Sequence, residues 1–364
     1  AQSSIWGADA SAGVINIITK SAKDGTHGNA TIEYGRYNSK TAKANISHKN
    51  ESFDAKLGVT RVDTDGFSAK ASKSSEAKKY EDDGYENTTA NLKLGYNFDE
   101  NNRVSASYEI IDTKVDYDNS PNSNDRAKTK THLANVNYEN KNDIAITNVY
   151  ANYTDITREY SYGNFDGSVK EYGVKSTVPY LSETSFITIG ADYKDFEDKE
   201  MSKDYDNKGI FISNTNKFFD DKTIFTQALR YDRYSDFENK TTGKIGIKQY
   251  IIEDLNISAN YGTGYNVPTI YQLYDASSGN IDLNPEKTKS YDIGFEYKGF
   301  SITYFNTKID NMIDWVVVTP PWNGVYDNIE GTSKIKGTEI AYKNEVIEDT
   351  FLNLSYTNLS AKND

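Results

Sequence analysis

The sequence of 364 residues contains no cysteine, only 2 methionines and 3 histidines, and no long run of apolar residues. Without cysteine the chain has no disulfide framework and no thiolate chemistry. No run approaches the roughly 18 apolar residues of a membrane-spanning helix, but the alternating strands of a membrane β-barrel need none. The isolated His27, His48 and His132 lack the spacing of a metal or haem site. Because no catalytic arrangement stands out, we predict no enzyme.

Positively charged residues are fewer than negatively charged ones, with 41 Lys and Arg against 54 Asp and Glu. The formal net charge is -13 and the sequence pI is about 4.9, which excludes nucleic acid as an expected partner because phosphate binding requires concentrated positive charge. Aromatic residues, in contrast, make up 13% of the chain, and 29 of them are tyrosines. Tyrosine suits β-strands and the membrane interface, where its ring and its hydroxyl each find a suitable environment.

Short segments with a period of two residues recur from about residue 31 onward and predict β-strands. One apolar row consists of Phe53, Ala55, Leu57 and Val59. Comparable rows lie at residues 90–98, 149–153, 187–193, 255–261, 291–297 and 352–356, and they tend to end on an aromatic residue. An aromatic girdle at a membrane surface produces this pattern. The segments predict about 17 strands, too many for an open sheet that neither curls nor splits.

The connections between these segments alternate between short and long. Short polar turns are predicted at residues 50–51, 99–102, 140–143, 220–221, 253–254 and 298–299, and long hydrophilic loops near residues 62–88, 112–130, 154–170, 195–215, 262–288 and 308–334. Outer-membrane barrels have short periplasmic turns and long external loops. The fold class predicted is therefore all-β, a large antiparallel transmembrane β-barrel, in preference to a soluble all-β protein.

Four stretches resemble the TonB-dependent outer-membrane receptor family and occur in that family's order. They are residues 5–20 (IWGADASAGVINIITK), 259–274 (ANYGTGYNVPTIYQLY) with 281–289 (IDLNPEKTK), 304–315 (YFNTKIDNMIDW) and 326–341 (YDNIEGTSKIKGTEIA). The first lacks the Gly-Lys-Ser/Thr ending of a phosphate loop. The resemblance implies that residues 1–22 are the C-terminal end of a plug domain, with a buried strand at residues 14–18. Residues 23–364 are then the receptor β-barrel.

Both ends of the sequence look cut, since residues 1–4 (AQSS) are neither a start methionine nor a signal peptide. A family barrel has about 22 strands around a plugged lumen. We therefore expect a fragment that lacks most of the plug, the TonB box and the last barrel strands. We further expect that the isolated fragment does not form a stable closed barrel, because an open strand edge is costly in lipid.

Within the family, two loop sequences are most similar to those of the cobalamin receptors: residues 80–85 (YEDDGY) and 114–126 (KVDYDNSPNSNDR). The resemblance implies that these loops share Ca²⁺, which prefers clustered carboxylate and carbonyl oxygens. The implied ligands are Glu81, Asp83, Asp116 and Asp125, with Asp82 and Asp118 nearby. Ser68 falls where the family pattern has an aspartate, and the stretch before Asp125 is shorter, so fewer ligands are expected.

The same resemblance implies that Tyr117, through its backbone, and Ser168 contact the ligand. Aromatic residues of the loops could stack on a flat ligand or anchor the membrane interface; they are Tyr265, Tyr274, Trp315 and Trp322, and the anchoring role is favoured for Trp315. The function implied is TonB-energised import of a scarce nutrient, most consistent with cobalamin, across the outer membrane of a Gram-negative bacterium. The alternatives are a ferric-siderophore receptor, a passive porin, against which residues 5–20 argue, and an outer-membrane adhesin or surface enzyme, for which no dedicated feature is found.

Overall fold

The computed structural model describes residues 4, 7–8, 13–15, 20–68, 80–118, 125–161, 163–181, 184–319 and 323–363. Within these residues β-structure dominates, and one short helix is present. The strands are β1 (Gly25–Tyr34), β2 (Lys40–Lys49), β3 (Phe53–Thr64), β4 (Tyr85–Asn97), β5 (Asn102–Tyr117), β6 (Asp125–Lys141), β7 (Ile146–Tyr160), β8 (Gly163–Tyr180), β9 (Ser185–Asp198), β10 (Lys203–Phe218), β11 (Thr223–Tyr234), β12 (Lys240–Ile252), β13 (Leu255–Asn266), β14 (Glu286–Tyr297), β15 (Phe300–Asp310), β16 (Ile313–Thr319), β17 (Asn323–Asn328), β18 (Thr332–Ile347) and β19 (Thr350–Asn363). The helix is α1 (Ile270–Tyr274).

Seventeen of these strands belong to one antiparallel sheet, while β16 and β17 form a separate two-stranded sheet. The predictions of an all-β fold and of about 17 sheet strands are therefore confirmed. In the described part of the chain, no helix has the length and apolar character needed to cross a bilayer. Almost the entire structural framework thus comes from period-two segments, as the sequence pattern indicated.

The chain divides into two compact units. The first unit comprises residues 17–174 and 194–205, and the second comprises residues 1–16, 175–193 and 206–364. In the first unit β1 to β7 pair consecutively and antiparallel. In the second unit β10 to β15 pair in the same way, and β15 continues through β18 to β19. Apart from the step from β15 to β18, strands that follow one another in these runs are also neighbours in the sheet.

The apolar rows of the strands are exposed rather than buried. On β14, Ile293 is 54% exposed, and the flanking Tyr291 and Tyr297 are about 40% exposed. The alternate residues of the same strand point to the other face, where Asp292 accepts a hydrogen bond of 2.8 Å from Asn260. A water-soluble protein buries its apolar face, whereas a membrane strand presents it to lipid and pairs its polar residues on the opposite face.

The predicted short turns are confirmed, with strands on both sides of residues 50–52, 98–101, 142–145, 219–222, 253–254 and 298–299. Long connections are also found between β3 and β4, between β13 and β14, and between β15 and β18, the last of which includes β16 and β17. The long loop predicted near 112–130 is wrong at both ends, because β5 continues to Tyr117 and β6 begins at Asp125. The long loops predicted near 154–170 and 195–215 are wrong, because β7 to β10 continue through them. Their polar side chains pair across neighbouring strands, as Lys170 of β8 does with Asp195 of β9. Hydrophilic composition therefore marked extended strands here and not loops.

Only parts of the N-terminal segment are described. Ser4 and Gly7 are buried, whereas Val14 and Ile15 are exposed and lie outside any strand. The buried strand expected at residues 14–18 is therefore not formed at residues 14 and 15, since an apolar sequence alone supplies no partner strand; residues 16–18 lie outside the described residues. The domain boundary at residue 22 stays a prediction.

Candidate functional site

In the second unit, the loop between β13 and β14 begins with a helix that is capped at its N-terminus. The Oγ1 atom of Thr269 accepts a hydrogen bond from the backbone N–H of Gln272, and the Gln272 side chain accepts one from the backbone N–H of Thr269. This capping box satisfies two N–H groups that a helix of five residues could not satisfy by itself. The cap therefore fixes where the chain turns after β13.

A small apolar core lies beneath this loop. Of the seven buried apolar side chains in the described residues, six belong to it: Tyr234, Tyr265, Val267, Ile270, Leu273 and Leu283. Tyr265 is only 2% exposed, and its hydroxyl donates to the backbone carbonyl of Glu238 at 3.2 Å. The suggestion that Tyr265 stacks on a ligand is therefore corrected: its ring packs beneath the loop.

The turn that follows α1 is organised by Asp275. Its carboxylate accepts hydrogen bonds from the backbone and the hydroxyl of both Ser277 and Ser278, at 2.6 to 3.1 Å. Partial burial disfavours the charged carboxylate, but these hydrogen bonds outweigh burial and lower the pKa of Asp275 below its ordinary value. The turn is therefore held by an ionised side chain.

Asn328 joins this loop to the loop between β15 and β18. Its Oδ1 atom accepts from the backbone N–H of Asn284 at 2.7 Å, and its Nδ2 atom donates to the carbonyls of Asn284 and Asn311 at 2.9 and 2.8 Å. A backbone bond of 2.9 Å from Tyr326 to Ser278 adds a second connection. We call Asn284, Asn311 and Asn328 the asparagine hub. It orders two long loops as one body.

Aromatic residues around the hub differ in their accessibility. The rings of Tyr271 and Tyr326 meet edge to face at 6.1 Å, which ties α1 to β17. Tyr274 and Trp315 are each 40% exposed, so both rings can be reached from solvent. Trp322 lies outside the described residues. Stacking on a ligand or anchoring at an interface stays a prediction for Tyr274 and Trp315.

In the first unit, the ends of β3 to β6 surround a polar cavity of about 320 Å³. We call the carboxylates that line it the acidic corner: Asp63, Asp65, Asp82, Glu86 and Asp116. Lys114 and Arg126 also line the cavity. Arg61 also pairs with Asp63 and Glu86. Because five carboxylates face three cations, the cavity is suited to a positively charged ligand.

The predicted calcium ligands are distributed in and around this corner. Asp116 is already engaged by Arg126, whose Nε and Nη2 atoms donate to its carboxylate at 2.6 and 3.1 Å. Asp125 lies opposite Tyr117 in the β5–β6 pairing. The Oε1 atom of Glu81 and the Oδ1 atom of Asp118 are buried and accept no hydrogen bond within the described residues.

The described carboxylates around the corner do not by themselves form a metal site. Over the described ranges, no group of three or more His, Cys, Asp or Glu side chains is placed to hold a metal ion. Asp118 also accepts a hydrogen bond of 2.6 Å from Ser68, the residue that replaces an expected aspartate. Unpaired oxygens at Glu81 and Asp118 fit a cation, whereas the Arg126 ion pair at Asp116 competes with one. Arg126, the last residue of the second loop motif, was not singled out in the sequence as a competitor.

The two predicted ligand contacts lie on neighbouring hairpins of the first unit. The hydroxyl of Tyr117 is 2.9 Å from that of Ser161, beyond the end of β7. Ser168 on β8 is 5% exposed and donates to Glu197 at 3.2 Å. Tyr117 is therefore partly accessible, while the Ser168 side chain is occupied by an internal hydrogen bond. Both roles stay predictions.

Exposed apolar rows, polar side chains on the opposite sheet face and elaborated loops define a class of protein, the integral outer-membrane proteins that cross the bilayer with β-strands. Residues 20–364 match the family model described as TonB dependent receptor-like, beta-barrel, and the chain belongs to this family. The family consists of receptors and transporters of the Gram-negative outer membrane, which confirms the predicted family and localisation.

Similar proteins include two vitamin B12 transporters. The BtuB protein of Vibrio cholerae serotype O1 is 26% identical over 362 residues, which cover 93% of this chain and 57% of that protein. BtuB of Photobacterium profundum is 24% identical over 363 residues, with coverages of 93% and 58%. The chain thus spans less than two thirds of the length of these relatives.

Among solved structures, the fold is similar to that of siderophore receptors. The PirA receptor of Pseudomonas aeruginosa superposes with a TM-score of 0.81 at 17% identity, covering 99% of this chain and 71% of that chain. The PirA receptor of Acinetobacter baumannii gives a TM-score of 0.81 at 14% identity, covering 98% and 65%. At these identities the likeness establishes the fold and does not identify a ligand.

Proposed function

We propose that the protein of which this chain forms part is an outer-membrane receptor that imports cobalamin and is energised through TonB. The observation that carries the proposal is the similarity to vitamin B12 transporters, which extends over 93% of the chain. The proposal assigns no catalytic step to the chain.

The reason for energised import is the conflict between affinity and release. A site that binds at nanomolar concentration holds its ligand with about 12 kcal/mol, so release is slow unless work is done on the site. In the proposed cycle, the loops close over the ligand and TonB then pulls on an N-terminal plug segment. The ordered pair of loops joined by the asparagine hub supports the first step, because a preorganised surface loses less entropy on binding.

The test is ligand binding and uptake by the full-length protein in outer-membrane vesicles and in cells with and without TonB. We expect cyanocobalamin to bind at nanomolar to micromolar concentration and to be taken up only with TonB. Binding of ferric enterobactin in place of cyanocobalamin would establish the alternative, a ferric-siderophore receptor. Immediate ionic current through the protein in planar bilayers would instead identify a porin.

We further propose that Tyr117 and Ser168 contact the ligand. Tyr117 is supported by its partial exposure at the end of β5, and the contact proposed for it is made by its backbone. Tyr117→Phe removes only the hydroxyl that meets Ser161, so it should leave the affinity unchanged, whereas Tyr117→Pro should weaken binding. Ser168→Ala should weaken binding only if the Ser168–Glu197 bond opens when the ligand arrives.

We also propose that Ca²⁺ binds near the loops at residues 80–84 and 116–118. The unpaired carboxylate oxygens of Glu81 and Asp118 support the proposal, since Ca²⁺ favours such ligands. Calcium titration of the full-length protein, followed by protease sensitivity of residues 65–84, tests it. Protection should saturate with Ca²⁺ in the parent protein and be lost in Glu81→Gln. Equal protease sensitivity with Ca²⁺ and with chelator would refute the site.

A further inference from the structure

A fully buried arginine lies in the second unit. Arg230 on β11 is 1% exposed. Its Nη1 and Nη2 atoms each donate to Asp192 at 2.7 Å, and its Nε atom donates to Asp232 at 2.9 Å. One guanidinium is thus fixed between two carboxylates, an arrangement that holds it flat and in a single orientation.

Two glycines lie against this guanidinium, one on the sheet and one on the N-terminal segment. At Gly209 of β10 a Cβ atom would come 1.9 Å from Nη2 of Arg230, so only glycine fits there. At Gly7 a Cβ atom would lie 3.3 Å from Nη2 and 3.5 Å from Cζ and Nε. Gly7 also has φ of +88°, a conformation that glycine adopts readily and other residues do not. The N-terminal segment therefore meets the guanidinium through Gly7.

The surroundings of Arg230 are polar and not fully satisfied. Asn207 and Thr242 are 2% and 1% exposed, and Thr242 lies opposite Arg230 in the β11–β12 pairing. The Thr242 Oγ1 atom has no hydrogen-bond partner in the described part of the chain, and the same holds for Nδ2 of Asn207, two residues before Gly209, and for Oγ of Ser4, three residues before Gly7. Buried polar groups of this kind cost free energy that water would restore. The contact between the N-terminal segment and Arg230 is therefore suited to reversible opening.

We propose that Arg230, held by Asp192 and Asp232, is a positioning residue at which the N-terminal segment docks reversibly through Gly7. Separation exposes the ion pairs and the unpaired groups to water, and their hydration offsets part of the lost contact. An apolar contact of equal size has no such compensation. The docking itself is inferred from these contacts alone. Only its role rests on the proposed function, because an energised receptor needs a docked segment that can be released.

The test is amide hydrogen exchange of residues 4–15 in the full-length protein. Gly7→Ala introduces the Cβ contact and the unfavourable φ while leaving the sheet side unchanged. We expect exchange of residues 4–15 to become about tenfold faster, with exchange of β10 to β12 unaltered. Gly13→Ala is the matched control, because no atom lies within 4 Å of its Cβ position.

The second part of the exchange experiment uses substitutions of Arg230. Arg230→Gln should also accelerate exchange of residues 4–15, and Arg230→Lys, which keeps the charge, should restore part of the protection. A merely structural role would change exchange of β10 to β12 as well. Identical exchange in Gly7→Ala and Gly13→Ala would overturn the docking proposal whatever the ligand proves to be. A failure to take up cobalamin would instead contradict the proposed function and leave the exchange result standing.

Discussion

Removal of the Asn328 side chain should loosen two loops at once. Asn328→Ala deletes three hydrogen bonds to backbone groups of residues 284 and 311. Each is worth about 0.5 to 1.5 kcal/mol net, and Asn328 is only half-buried, so water recovers part of the loss. We therefore expect the free energy of local opening to fall by about 2 kcal/mol, which corresponds to exchange about 30-fold faster.

The measurement is amide hydrogen exchange of the intact protein, read at three backbone N–H groups. These belong to Asn284, Tyr326 and Ile329, which donate to Asn328 Oδ1, to Ser278 O and to Met312 O. Because they lie on both loops, the expected result is faster exchange in both. Exchange along β13 and β14 should remain slow, since the ladder between these strands does not involve the hub.

Two variants make the prediction selective. Asn280→Ala is the matched control, because the Asn280 side chain accepts one local hydrogen bond, from Asp282, within the same loop. Asn328→Asp keeps the acceptor for the Asn284 N–H but places a carboxylate oxygen against two carbonyls, so it should resemble Asn328→Ala. If Asn280→Ala and Asn328→Ala accelerate exchange equally at Tyr326 and Ile329, the hub does not join the loops and the reasoning is refuted.

Three further predictions concern the lipid-facing row, a turn and the acidic corner. Ile293→Arg should reduce the stability of the membrane-inserted protein by about 2 to 4 kcal/mol, against almost no change for Ile293→Leu, measured by urea unfolding in lipid vesicles. The pKa of Asp275 is lower in the folded protein than in the unfolded chain, so its contribution to loop order is present above the unfolded pKa and is lost as the pH falls through the folded pKa. The protection of residues 275–279 against exchange should therefore decline below about pH 4. Asp275→Asn should remove this pH dependence. Arg126→Ala frees Asp116 and should strengthen Ca²⁺ binding by about fourfold in calcium titrations, while Arg126→Lys should not. If the protection of residues 275–279 in the parent protein does not change with pH, the prediction for Asp275 is wrong. If Arg126→Ala binds Ca²⁺ with the affinity of the parent protein, the prediction for Arg126 is wrong.

The sheet could be predicted from the sequence because an alternation of apolar and polar residues indicates both that a segment is a strand and which face each side chain occupies. In the row that contains Ile293, alternation sets both the strand and the face on which each side chain lies, and exposure of that row follows from membrane insertion. The limits of the strands could not be predicted in the same way. Lys170 of β8 pairs with Asp195 of β9, 25 residues away, and such distant partners keep polar segments extended that otherwise resemble loops.

The same limit applies to the loops: a sequence motif can be recognised, whereas the groups that its residues contact cannot. The YDNIEG sequence was recognised, but the role of its Asn328 depends on backbone groups 44 and 17 residues away, which no local pattern specifies. Tyr265 belongs to a recognised motif as well, yet its burial depends on the cluster around α1. For the predicted calcium ligands, residue type was informative, whereas the competition between Arg126 and a cation for Asp116 emerged only from geometry.

The two loop systems are stabilised by different means, and this difference sets how each should respond to cations. The loop after β13 has an apolar core, a capped helix and the asparagine hub, so its order is intrinsic. The loop before β4 has an unpaired, buried carboxylate oxygen at Glu81, and Asp118, directly after β5, has another. Burial of such groups is unfavourable without a counter-charge. Removal of divalent cations should therefore loosen residues 80–84 and leave residues 267–285 protected. Equal loss of protection in both loops would show that one shared transition, and not a local cation, controls their order.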